Sequence, residues 1–161
     1  MSLSHPNKNK GVALVIYREN ISSQNPLEYL LLHRFNPWIG WGLLKGGCES
    51  NSERFTVEKE IREEAKLLEG RDYRKNDVHR VQDSRIIYTT HRLKKRNYQV
   101  YAVKVSPQAR VQVDFKENDD YLWAEFEKAK RMLRHEATKI ALENGNEFVK
   151  SLEEKKIIPK L

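Results

Sequence analysis

Glu60, Glu63 and Glu64 fall within five residues of one another, shortly after the tripeptide Lys45-Gly46-Gly47. Carboxylates this dense on one side of a helix repel each other unless a cation sits among them. Magnesium is the natural candidate. It takes hard oxygen ligands, retains several waters and so needs few carboxylates, and on acidic side chains it usually serves phosphate chemistry. Helical spacing of four lets Glu60 and Glu64 share one ion, with Glu63 reaching a flank. The competing reading is a solvated helix in which Lys59 and Arg62 pair with the same acids.

The elements that must hold these groups follow from hydrophobic period. Residues 52–68 read as a helix, capped by Ser52 or Asn51 and stopped by Gly70, with Val57, Ile61, Ala65 and Leu68 forming its buried stripe. Glu53, Glu60, Glu63 and Glu64 then occupy an adjacent arc of roughly 100°. The β-branched run 11–17 reads as a buried strand, and 29–32 as its hairpin partner. Lys45-Gly46-Gly47 reads as a turn leading into the helix. Strands are expected within 78–90, over 98–105 and over 111–115, and 91-HRLKKR-96 as the tip joining the first two. From residue 125 two helices follow, one with Phe126, Ala129, Met132 and Leu133, the next with Ile140, Ala141, Phe148 and Val149. The sum is an α+β fold, a mixed sheet flanked by helices in one domain over 1–161, with 1–10 as a flexible lead-in.

The chain has 161 residues, 39% hydrophobic and 33% charged, with a formal net charge of +7. That balance describes a globular domain and favours polyanionic partners such as nucleotides, polyphosphates or RNA. A single cysteine, Cys48, excludes an intrachain disulfide and a Cys-rich zinc site. No apolar run approaches the roughly 18 residues of a membrane span. The cytoplasm is the expected compartment, with no membrane association and no obligate protein partner evident. The five histidines show no metal-ligand spacing.

The segment 41-WGLLKGGCESNSERFTVEKEIREEAKL-67 resembles the signature of Nudix hydrolases: glycines, a spaced glutamate, then Arg-Glu, an aliphatic residue, any residue and Glu-Glu. Lys59 replaces the arginine, Leu44 a common proline and Lys66 the closing glycine, and the loop before the helix is one residue shorter. The stretch 116–152, with Tyr121-Leu122-Trp123 and Gly145-Asn146-Glu147-Phe148, is similar to asymmetric diadenosine tetraphosphate hydrolases, as is Glu28 to Leu32. The resemblance implies an α/β/α sandwich with a loop-helix-loop motif, and magnesium, replaceable by manganese, on Glu60, Glu63, Glu64, Glu117 and a backbone carbonyl of Gly46 or Lys45. It implies Glu63, Glu64 and Glu117 as catalytic carboxylates, with Asp119 and Asp120 as rivals of Glu117. Tyr121 is implied as a stack for adenine, with Tyr98 and Tyr101 as its other side. Lys45 is placed to contact a phosphate. Arg92, Lys94, Lys95 and Arg96 either bind remote phosphates or keep a hairpin tip in water.

The activity implied is hydrolysis of a phosphoanhydride bond in a nucleoside or dinucleoside polyphosphate, with diadenosine tetraphosphate giving ATP and AMP. Removal of pyrophosphate from an RNA 5′ end is a second reading, suited to the basic surface. A nucleotide-binding sensor with weakened catalysis is a third, since a scaffold does not guarantee chemistry.

Overall fold

A computed structural model describes residues 9–20, 22, 26–89 and 93–157. Seven strands form one sheet: β1 (Lys10–Glu19), β2 (Leu27–Arg34), β3 (Gly40–Gly42), β4 (Leu44–Gly47), β5 (Val78–Thr89), β6 (Lys95–Lys104) and β7 (Asn118–Ala124). The order is β3-β2-β1-β6-β5, with β4 paired to β1 and β7 to β2. β1 lies at the centre. It runs parallel to β6 along its length and antiparallel to β4 and β2 on its other side.

The unbroken apolar run in β1 follows from that position, because a strand covered on both faces has no solvated side to mark with polar residues. Val12, Leu14 and Ile16 pack with Val57, Ile61, Ala65 and Leu67 on one face of the sheet. Ala13, Val15 and Tyr17 pack on the other with Ala129, Ala141, Leu142 and Val149, from α2 (Phe126–Met132) and α3 (Glu136–Ile157). The result is helix on sheet on helix, as expected. Gly145 allows α3 to lie close on β1, since a Cβ there would meet Val15 Cγ2 at 2.8 Å. Among the described residues no helix is long and apolar enough to cross a membrane.

Several local expectations are corrected. Lys45, Gly46 and Gly47 do not form a turn; they lie in β4, opposite Ala13, Val12 and Gly11 of β1. The acidic helix, α1 (Glu53–Glu60), is capped by Ser52, whose Oγ accepts the Phe55 N–H at 3.1 Å, and then widens into a π-helical turn over Ile61–Ala65. The helix ends at Lys66 rather than Gly70: Lys66 has φ 59 and ψ 30, and its N–H donates to the carbonyl of Arg62. That left-handed residue redirects the chain, so Leu67 is fully buried and Leu68 is 41% exposed. Residues 111–115 are not a strand, although Val111 and Val113 are buried and the Gln112 N–H reaches the Ala65 carbonyl. Ile140 faces outward on α3. The tip expected at 91–96 falls partly outside the described residues, and β6 begins within it at Lys95.

Candidate active site

A cavity of about 820 Å³ opens where β4, the π turn, the ends of β5 and β6 and the loop before β7 converge. Glu60, Glu63, Glu64 and Glu117 line it together with Gly46. The π turn explains part of this. It takes more residues per turn than an α-helix, so Glu60 and Glu64, four apart, come nearer to eclipsing than they would on regular helix; such single-turn bulges are frequent at functional sites. β4 supplies the facing wall. A Cβ at Gly46 would fall on the carboxylate of Glu60, so a side chain there is incompatible with the present position of that acid. We expect Gly46→Ala to displace Glu60 and weaken divalent-ion binding about tenfold or more, read by titration calorimetry.

The electrostatics are those of crowded, partly buried acids facing basic side chains across the cavity. Glu64 is 7% exposed, and its Oε2 is buried with no hydrogen-bond partner among the described residues. Burial and the nearby Glu60 push its pKa up to about 8, although Arg34 pulls the other way. Glu60 is raised to about 7, by burial first and by Glu63 second. Arg34 Nη1 donates to Glu117 Oε2 at 3.0 Å, while Nη2 stands 3.9 Å from Glu64 Oε1. Lys45 projects from β4 into the same space, its Nζ 4.0 Å from the ring centroid of Tyr88. Burial, with Arg34 adding to it, lowers its pKa to about 8.

Among the described residues no group of three or more His, Cys, Asp or Glu side chains is already drawn together to hold a metal ion. The donor chemistry nevertheless fits magnesium: hard carboxylate oxygens, one of them buried and unpartnered, and two acids whose pKa values burial and mutual repulsion raise. Two carboxylates with water completing the shell is an arrangement this ion accepts.

Not every expected residue arrives. Glu117 lines the cavity, whereas Asp119 bonds His33 Nδ1 at 2.6 Å and Asp120 accepts the N–H of Tyr121. Tyr98 lines the cavity. Tyr101 does not; it is buried in the core and its hydroxyl donates to Glu53 at 2.7 Å. Glu53, bound also by Arg80, is likewise turned away from the other acids. Tyr121, on β7 opposite Leu32, is not among the lining residues. Lys94 and Arg96 do line the cavity, Lys95 does not, and Arg92 lies outside the described residues.

The sequence reading missed Arg34, Trp38, Tyr88 and Asp114, all of which line the cavity. Asp114 Oδ1 accepts the N–H groups of Lys116, Glu117 and Asn118, and so fixes the loop that presents Glu117. Trp38 stacks edge-on against His135, which also meets Tyr88. Lys59 bonds Glu49 at 2.7 Å, beyond the cavity rim.

No family model matches the sequence, and no curated protein matches it. Solved structures do. An Ap4A hydrolase of C. elegans, crystallised as a binary complex, superposes with a TM-score of 0.72 at 22% identity, over 88% of this chain and 98% of that one. The NUDIX domain of Shewanella oneidensis NrtR, complexed with ADP ribose, gives 0.69 at 17% identity, covering 88% of each. The E. coli dihydroneopterin triphosphate pyrophosphohydrolase gives 0.67 at 14%, over 84% and 92%. The chain has the fold of the Nudix hydrolases.

Proposed function

We propose that the protein is a magnesium-dependent hydrolase that cleaves a phosphoanhydride bond of a nucleoside polyphosphate by in-line attack of water. The observation that carries this reading is the assembly of Glu60, Glu63, Glu64 and Glu117 with Arg34, Lys45, Lys94 and Arg96 around one cavity. A polyphosphate presents several anionic oxygens at once, and a site for it needs both a home for a cation and fixed cations of its own.

Glu60 and Glu64 would hold magnesium, with Glu63 and Glu117 on its flanks; bound there, the ion supplies charge neutralisation and activation of the nucleophile. Lys45 is walled in by Tyr88 and Tyr98, so its ammonium addresses the cavity with little competition from bulk water. Arg34 steadies Glu117 before substrate arrives and offers a planar fork to a phosphate afterwards. Glu117, half-exposed at the cavity edge, is placed to orient water and accept its proton. Trp38, Tyr88 and Tyr98 give apolar surface on which a base can lie.

Diadenosine tetraphosphate is the substrate favoured by the resemblance in the C-terminal third and by the C. elegans neighbour. Incubating a panel of nucleoside polyphosphates and 5′-triphosphorylated RNA with magnesium, and resolving products by chromatography, tests this. Release of ATP and AMP from diadenosine tetraphosphate is expected. If nucleotides bind yet none is cleaved with magnesium or manganese, the protein is a sensor on this scaffold and not an enzyme.

A further inference from the structure

A second groove, of about 640 Å³, lies beyond the far side of the π turn, lined by Arg62, Lys66, Arg71 and Arg110 among others. Its one lining carboxylate, Asp72, is already engaged: Oδ2 accepts the Leu68 N–H at 2.8 Å and the Arg71 Nε–H at 3.0 Å. Arg71 also donates to the Lys66 carbonyl. Among the described residues no carboxylate lies within ion-pair distance of Arg62, Lys66 or Arg110, and all three are exposed. Among the described residues the groove therefore carries three cations outside any ion pair.

Lys66 lines both this groove and the catalytic cavity. It is the residue in left-handed conformation that ends the helix, a position where glycine is the economical choice. A long cationic side chain thus stands, against its backbone preference, at the junction of the basic groove and the acid-lined cavity. Between the cations, Gln108 and Gln112 offer side-chain amides, the Oε1 of Gln108 already accepting from Ser106, and Leu68 and Ala109 offer apolar surface. A bare chain of phosphates would leave the apolar surface unused, whereas riboses alternating with phosphates match the mixture of cations, hydrogen-bonding groups and apolar surface.

We propose that this groove binds the sugar–phosphate tail of a single-stranded oligonucleotide whose 5′ end enters the catalytic cavity past Lys66. This rests on the proposed function only in placing the terminal phosphates on the carboxylate side of the helix.

The test uses the full chain and a 3′-fluorescein six-nucleotide RNA bearing a 5′-monophosphate, which contains no anhydride to cleave. The double variant Arg62→Ala/Arg110→Ala is expected to weaken RNA binding tenfold or more by anisotropy. It should flatten the log–log salt slope by about 1.4, since each lost phosphate contact removes about 0.7 on a single strand. Its hydrolysis of mononucleoside and dinucleoside polyphosphates should stay within twofold. Lys66→Gly, which suits the backbone, should fold normally and bind the RNA less tightly. RNA affinity unchanged in the double variant overturns the proposal, as does competition by inorganic polyphosphate of equal charge as effective as that by RNA. Because binding is read without turnover, absence of hydrolysis would defeat the proposed function while leaving this result legible.

Discussion

Replacing Glu64 by glutamine should lower turnover at least 100-fold while leaving the metal-free protein as stable as before or more so. The two halves of that expectation have one cause. Glu64 is almost wholly buried, one of its oxygens has no partner, and Glu60 lies near enough to raise its pKa. A buried carboxylate in that setting costs stability when ionised and contributes little when protonated. Glutamine has the same shape without the charge, so repulsion is relieved, but it makes a poor magnesium ligand. Arg34 keeps its closer partner, Glu117, in the variant. Melting temperatures without metal and steady-state rates with it would be measured side by side near about pH 8.5, above both raised values. A variant that turns over normally would show that Glu64 is no part of the chemistry. One that loses activity only because it melts would show that the acid is structural.

What the sequence made legible here is what depends on local period. The β1 run and the carboxylate side of α1 are both readable because burial on two faces, or spacing of four, leaves a mark in a short window. The end of the helix left no such mark. Ser52 announces the start, but the π turn and the left-handed Lys66 go with the burial of Leu67 in the core, and Gly70, four residues later, was a false stop. Lys45-Gly46-Gly47 misled in the same way: glycines suggest a turn, yet Gly46 is required by the close approach of Glu60 to a strand. Arg34 and Trp38, four apart at and just after the end of β2, and Asp114, before β7, are distant in sequence from the acidic helix, and only the sheet order brings them to it. Tyr98 and Tyr101 are three apart on one strand, so they point to opposite faces of the sheet and cannot share a side of one ligand.

Metal-free protein should lose stability as pH rises from about 5.5 to about 8.5, and magnesium should restore it only at the upper end. Glu60 and Glu64 have folded-state pKa values raised to about 7 and about 8 from an ordinary 4.5. The folded state therefore holds protons that the unfolded chain has already released. Stability is fully present below about 4.5 and declines as pH rises through the folded values. One pKa unit corresponds to about 1.4 kcal/mol, so after discounting for partial solvation of Glu60 a loss of about 2–4 kcal/mol is expected, or roughly 5–15 °C in Tm. His79 and His135, whose pKa values burial depresses, act in the opposite sense around pH 6.5 and blunt the slope. Lys45, lowered to about 8, adds stability only above that pH. Magnesium needs the ionised carboxylates and must displace their protons, so its stabilising effect should be small near pH 5.5 and large near pH 8.5. Glu60→Gln/Glu64→Gln should flatten the metal-free profile and abolish the magnesium effect together. A magnesium shift of equal size at both pH values would mean that the ion binds elsewhere, and that these two acids are not what receives it.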